Sequence, residues 1–187
     1  MKYFGTDGFR GEANVGLTVE HAYKIGRFVG WYYGANRERK ARVIVGKDTR
    51  RSSYMFEAAL VSGLVASGAD AYMLHVIPTP GVAHQTVEGC FDCGIMISAS
   101  HNPYHDNGIK FFSAEGTKLP DAVELEIEAE MDAGEGPGEG EAPRRRRRPL
   151  HGILQVDLPE RARPEGPQNP RRLRERRRLP RRPGRLP

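Results

Sequence analysis

Cysteine, tryptophan and long apolar runs are all scarce in this chain. Of its 187 residues, two are cysteine and one is tryptophan. Two thiols, Cys90 and Cys93, cannot build a disulfide framework, so a reducing cytoplasm is the expected compartment. No apolar run approaches the length of a bilayer span. The first residues (Met1, Lys2, Tyr3, Phe4, Gly5) lack a signal-peptide pattern, so no membrane association is expected.

Residues 132–187 lack still more. They hold no Lys, Phe, Tyr or Trp, but 16 Arg against 8 acids and 10 of the 14 prolines. Residues 1–131 hold 13 Lys and Arg against 16 Asp and Glu, so the formal net charge of +5 averages two unlike pieces. So little apolar surface cannot offset the entropy of ordering, and the composition predicts a disordered tail over 132–187 behind one domain over 1–131. The arginine blocks Arg144–Arg148 and Arg171–Arg182 would attract phosphate backbones without selectivity. No aromatic is there to stack on bases and no nucleic-acid-binding motif is present, so a basic nucleic-acid-binding protein is the weaker alternative and no specific nucleic acid is expected.

The first 131 residues alternate helix and strand. Leu17–Tyr33 reads as a helix, with Thr18 as N-cap and Ala22, Ile25, Phe28, Val29 and Tyr32 at helical spacing. Ala41–Gly46 carries the β-branched run of a buried strand, and Ser52–Ser67 a second helix with Met55, Ala59, Leu60 and Leu64 on one stripe. Ala71–Val76, Gly94–Ser98 and Ile109–Phe112 read as further strands. A short helix opens at Thr79-Pro80, with Thr79 as its cap, and an acidic helix covers Pro120–Met131. This order predicts an α/β domain of three layers, αβα, around a mostly parallel mixed sheet. The loops after the core strands then share the carboxyl edge, where ligands bind in such folds.

Ser98-Ala99-Ser100-His101-Asn102-Pro103 puts a hydroxyl at a strand end beside an imidazole and an amide. Ser100 could be a nucleophile or carry a phosphoryl group; the plainer account of these residues by themselves is a hydrogen-bonded turn. Gly5-Thr6-Asp7-Gly8-Phe9-Arg10-Gly11 is a glycine-spaced loop whose amides and guanidinium suit an anion, or a tight turn with an exposed Arg. Asn107-Gly108-Ile109-Lys110 sets a lysine at a strand start. Gly46-Lys47-Asp48-Thr49-Arg50-Arg51-Ser52 could bind an anion at a helix start, or simply cap the helix through Asp48 or Ser52. Cys90 and Cys93 read as buried structural thiols, and His21, His75 and His84 have no partners at metal-ligand spacing.

Together these words, with Pro78-Thr79-Pro80-Gly81-Val82 between them, resemble the first domain of the alpha-D-phosphohexomutases in order and spacing across nearly all of residues 1–131. The similarity is strongest to the branch that works on glucosamine phosphates. The resemblance implies an isomerase that interconverts glucosamine 6-phosphate and glucosamine 1-phosphate, supplying cell-wall precursors. Phosphoglucomutase or phosphomannomutase activity is the near alternative. It further implies that Ser100 is the phosphoserine and the one Mg²⁺ ligand in this chain. Arg10 and Lys110 would flank the phosphoryl group, Lys110 assisting proton transfer, and His101 and Asn102 would approach a hexosamine phosphate. The family's other loops lie in later domains, and no Asp-Gly-Asp cluster of its metal loop is present. The isolated chain is therefore expected to be inactive. With free choice of synonymous codons, reading Arg144–Leu186 one base later permits a continuous string resembling the family's continuation into its second domain. The tail from between Asp132 and Arg144 onward thus reads as out-of-frame translation.

Overall fold

The computed structural model describes residues 2–35 and 39–132 and the backbone of 153–155. Its elements are β1 (Phe4–Gly5), β2 (Gly8–Glu12), α1 (Val19–Gly34), β3 (Arg42–Lys47), α2 (Arg51–Ala66), β4 (Asp70–Val76), α3 (Thr79–Glu88), β5 (Cys93–Ile97), β6 (Asp106–Ser113), α4 (Asp121–Asp132) and β7 (Ile153–Gln155). All strands join one sheet in the order β1-β2-β6-β5-β3-β4-β7. β3 pairs in parallel with β4 and β5, and β4 with β7; the β5–β6, β6–β2 and β2–β1 pairs are antiparallel.

Alternation along β3 divides the two faces. Val43 and Val45 join the core formed with Ile25, Phe28 and Val29 of α1, Phe56, Leu60 and Leu64 of α2, and Ile127 of α4. Ile44 and Gly46 point the other way, where a side chain at Gly46 would meet Val82 of α3. The result is the expected three-layer α/β/α arrangement.

Local chemistry sets the element ends. Thr18 and His21 form a reciprocal capping box at the start of α1, each side chain receiving the other's backbone N–H, which satisfies two otherwise orphaned donors. α1 and α2 approach closely because Gly26 and Gly63 face each other: a Cβ on Gly63 would lie 3.1 Å from the Gly26 Cα and collide with the Tyr23 carbonyl. That approach centres the buried face of α2 on Ser53, Phe56, Leu60 and Gly63, so Met55 and Ala59 of the expected stripe lie at its margin.

Three segments differ from expectation. Gly5–Gly11, read as a loop, is largely the β1–β2 hairpin, turned at Gly8 with φ +90°; Gly8 is required there because a side chain would strike the Ile109 carbonyl. The α3 cap is Pro78, with Thr79 already inside the helix. The tail expected to be disordered lies outside the described residues except at two places: Asp132 ends α4, and Ile153–Gln155 is extended and hydrogen-bonded along β4. Among the described residues, no helix is long and apolar enough to cross a membrane.

Candidate functional site at the carboxyl edge of the sheet

Strand direction gathers the polar loops. β3, β4 and β5 end at one edge, and because β6 runs the opposite way, its first residues, Asp106 to Lys110, begin there. Arg10 lies opposite Gly108 in the β2–β6 register. Arg10 and Lys110 therefore share a sheet face, one pleat apart. It is the face of α3, since their neighbours Phe9, Ile109 and Phe111 are all in the core on the other side. Gly108 leaves room for this: a Cβ there would sit 3.1 Å from the Arg10 stem and 2.9 Å from the Ser98 carbonyl.

The Ser98–Asp106 loop crosses this edge. Ser100 is exposed and has φ +58°, in the left-handed region, an arrangement that costs a non-glycine residue about 1 kcal/mol or more and persists only where its surroundings impose it. Its N–H donates to the Ser98 hydroxyl at 3.0 Å. Asn102, half-buried, donates to Asp106 at 2.9 Å and accepts from Arg10 Nη1 at 3.3 Å. Arg10 Nη2 reaches Asp7 at 2.8 Å, while its buried Nε has no hydrogen-bond partner. Burial, together with the Arg10 guanidinium, holds the Lys110 ammonium below the ordinary lysine range, with Asp7 opposing. His101 is exposed. The structure thus brings Arg10, Asn102 and Lys110 together beside the Ser100 loop and leaves His101 facing solvent.

A residue that sequence reasoning passed over holds this loop. Arg50, 11 % exposed, donates to the carbonyls of Pro103 (2.6 Å), Asp106 (3.2 Å), Ser100 (3.0 Å) and Asn102 (2.9 Å). Its Nε is paired with Asp48 at 2.9 Å. Asp48 also accepts from the Arg50 N–H and the Ser53 hydroxyl, and the buried Asn107 donates to Ser52 and Ser53. The only sequence signal for Arg50 was its place in the Gly46–Ser52 word.

That word does not offer an anion site through its first two cations: Arg50 is fully engaged, and Lys47 is buried against Glu57 and the Tyr54 ring. The helix has no side-chain bond at its N-cap, Arg50, so Asp48 acts one step earlier, on the turn. His75 lies 3.5 Å from Glu57. Cys93 is buried, which pushes its thiol up to about 12; Cys90, expected to be buried, is exposed in a left-handed turn with φ +52°. Among the described residues no group of three or more His, Cys, Asp or Glu could hold a metal ion. Mg²⁺ takes about six oxygen ligands, so Ser100 and its neighbours do not by themselves fit one.

This combination of a mixed α/β/α sheet and a serine loop at its carboxyl edge matches the phosphoglucomutase/phosphomannomutase family: its alpha/beta/alpha domain I corresponds to residues 1–137, and the chain belongs to that family. Within it, the chain is 68 % identical over 123 residues to the phosphoglucosamine mutase of Lachnoclostridium phytofermentans. It is 66 % identical over 126 residues to that of Lachnospira eligens. These matches take up 66 % and 67 % of this chain but 27 % and 28 % of the relatives, so the chain spans little more than a quarter of their length. A phosphoglucomutase/phosphomannomutase family protein from Burkholderia thailandensis shares the fold, with a TM-score of 0.64 and 23 % identity over 82 % of this chain and 32 % of its own.

Proposed function

We propose that this chain is the phosphoryl-carrying first domain of a phosphoglucosamine mutase. The observation that carries the reading is the exposed Ser100, held in a strained turn beside two cations on one sheet face, in a chain so similar to phosphoglucosamine mutases. Phosphorylated Ser100 would give its phosphoryl group to the free hydroxyl of glucosamine 6-phosphate or 1-phosphate, the proton of that hydroxyl passing to the Ser100 oxygen that the phosphoryl group leaves. The bisphosphorylated sugar would turn over and return its other phosphoryl group to the Ser100 oxygen.

Arg10 and Lys110 suit the charge of the moving group, since guanidinium and ammonium near a desolvated phosphoryl stabilise charge without reorganising. Arg10 retains an unengaged Nε for a phosphate oxygen. A lysine whose proton is held less tightly gives it up more readily in that step. Asn102, and His101 through its exposure, would meet the sugar. A Mg²⁺ ion would help neutralise the phosphoserine, taking its other ligands from outside the described residues.

Phosphoryl transfer depends on positioning and charge around the whole substrate. A domain that matches only about a quarter of its relatives' length should therefore, taken by itself, hold the phosphoryl group without completing the isomerisation. Out-of-frame translation of the tail and a cytoplasmic location belong to the same proposal. The test is intact-mass measurement of the full chain isolated from cells, beside an assay for glucosamine 6-phosphate isomerisation. The expected result is one added phosphate, absent from Ser100→Ala, and no turnover. An unphosphorylated wild-type chain, or phosphate that survives Ser100→Ala, would overturn the reading.

A further inference from the structure

We propose that Arg50 is the positioning residue of the phosphoryl-carrying loop, imposing on Ser100 its left-handed main chain. The proposal rests on the reading of Ser100 as the phosphoryl carrier only for its functional meaning; the mechanical role stands on geometry.

A guanidinium has five N–H groups in a planar fork. In Arg50 all five are used, one on the Asp48 carboxylate and four on the carbonyls of Ser100, Asn102, Pro103 and Asp106. These carbonyls span the loop from the serine to the start of β6. A loop that crosses a sheet edge cannot satisfy its carbonyls within a ladder, and here one side chain from the neighbouring β3–α2 connection takes that place. The strained residue is fixed at both ends: the Ser100 carbonyl accepts from Arg50 and its N–H donates to Ser98. Asp48 in turn aims the fork through Nε and pins the Arg50 N–H.

The two arginines of the site therefore divide the work. Arg10 keeps a donor without a partner, whereas Arg50 has none left for a phosphate. Arg50 would affect phosphoryl transfer only through where it holds Ser100. Lysine cannot substitute, since three donors on one nitrogen do not reach four divergent carbonyls.

Hydrogen exchange on the full chain tests this, comparing wild type, Arg50→Ala and Arg50→Lys. In both variants the amides of Ser100, Asn102 and Asp106 should exchange about tenfold faster or more, as expected for loss of charge-assisted bonds. The amides of Val45 and Ile95 should be unchanged. Millimolar ethylguanidinium should restore part of the protection in Arg50→Ala, and ethylammonium should not. Loop amides that exchange at the wild-type rate in Arg50→Ala, or core amides that speed up equally, would overturn the proposal. Should the loop respond as expected while wild-type Ser100 carries no phosphate, the positioning role stands and the phosphoryl reading falls.

Discussion

The loop after β4 and the loop after β5 leave the same edge of the sheet, yet apolar side chains hold the first and polar side chains the second. Ile77 and Val82 close over Gly46, where a Cβ would lie 2.6 Å and 2.5 Å from their methyl groups, and Ile77 also covers Gly81. Ser98–Asp106 rests instead on Arg50, Arg10 and the Ser98 hydroxyl. Apolar contact is non-directional and tolerates small rotations; a hydrogen bond fixes where a carbonyl points. The first loop contributes stability, and the second a fixed main chain at Ser100. Between them stands Lys47, whose carbonyl accepts from Ile77 while the next N–H, of Asp48, donates to Ile97.

The comparison breaks most severely at Lys47. Lys47→Met leaves the Glu57 carboxylate buried without its cation, which costs about 3–5 kcal/mol, read as a fall in the urea midpoint. A loss below about 1 kcal/mol would mean that Glu57 is satisfied elsewhere, with His75 the neighbour at hand. Gly46→Val tests the apolar loop alone. Overpacking against Ile77 and Val82 should cost about 1–3 kcal/mol and leave hydrogen exchange at Ser100 and Asn102 unchanged. Transmission to those amides would erase the distinction between the loops.

Main-chain bracing away from the site offers a smaller test. Glu128 accepts from the N–H groups of Lys2, Tyr3 and Phe4 at 2.9, 2.7 and 2.7 Å, pinning the strand that leads into the glycine hairpin. Burial alone would raise its carboxyl, but the three amides together hold it below the usual value of 4.5. A depressed carboxylate stabilises the fold above its unfolded value and loses that contribution as pH falls through its folded one. Glu128→Gln should cost about 1 kcal/mol at neutral pH, and the gap to wild type should narrow as the pH drops below 4.5. Burial raises the Glu124 carboxyl and the Glu128 charge adds to the shift, so the comparison is made in a Glu124→Gln background, which removes that coupling. A gap that widens on acidification would contradict the assignment. Smallest of all, Ser100→Gly should raise stability by up to about 1 kcal/mol through relief of the positive φ, measured by thermal unfolding; destabilisation would show that the turn carries no strain.

Periodicity made most of the fold legible. α1, α2 and α4 and strands β3 to β6 follow from apolar spacing and β-branched runs, because each buries a regular face. The hairpin at Gly5–Gly11 was not legible, since glycines give no face to read and its pairing partner, β6, lies about a hundred residues away in sequence. β7 escaped because three residues in an Arg- and Pro-rich stretch carry too little pattern. At the site, Ser100, Arg10 and Lys110 stood out as residue types suited to a phosphoryl group, whereas His101 and Asn102 entered only through the resemblance to the phosphohexomutases. Arg50 did not stand out, because a side chain that serves neighbouring carbonyls leaves no periodic trace.

The three residues of β7 have a bearing on solubility. By lying along β4 they pair its outer amides and carbonyls at Ala71, Tyr72 and Met73 and put a strand of three residues at the rim, too short to template another chain. A chain cut after Asp132 would bare that row to any other extended polypeptide, and two such chains could zip together rim to rim. A stretch with no part in the chemistry would then decide whether the domain stays single in solution.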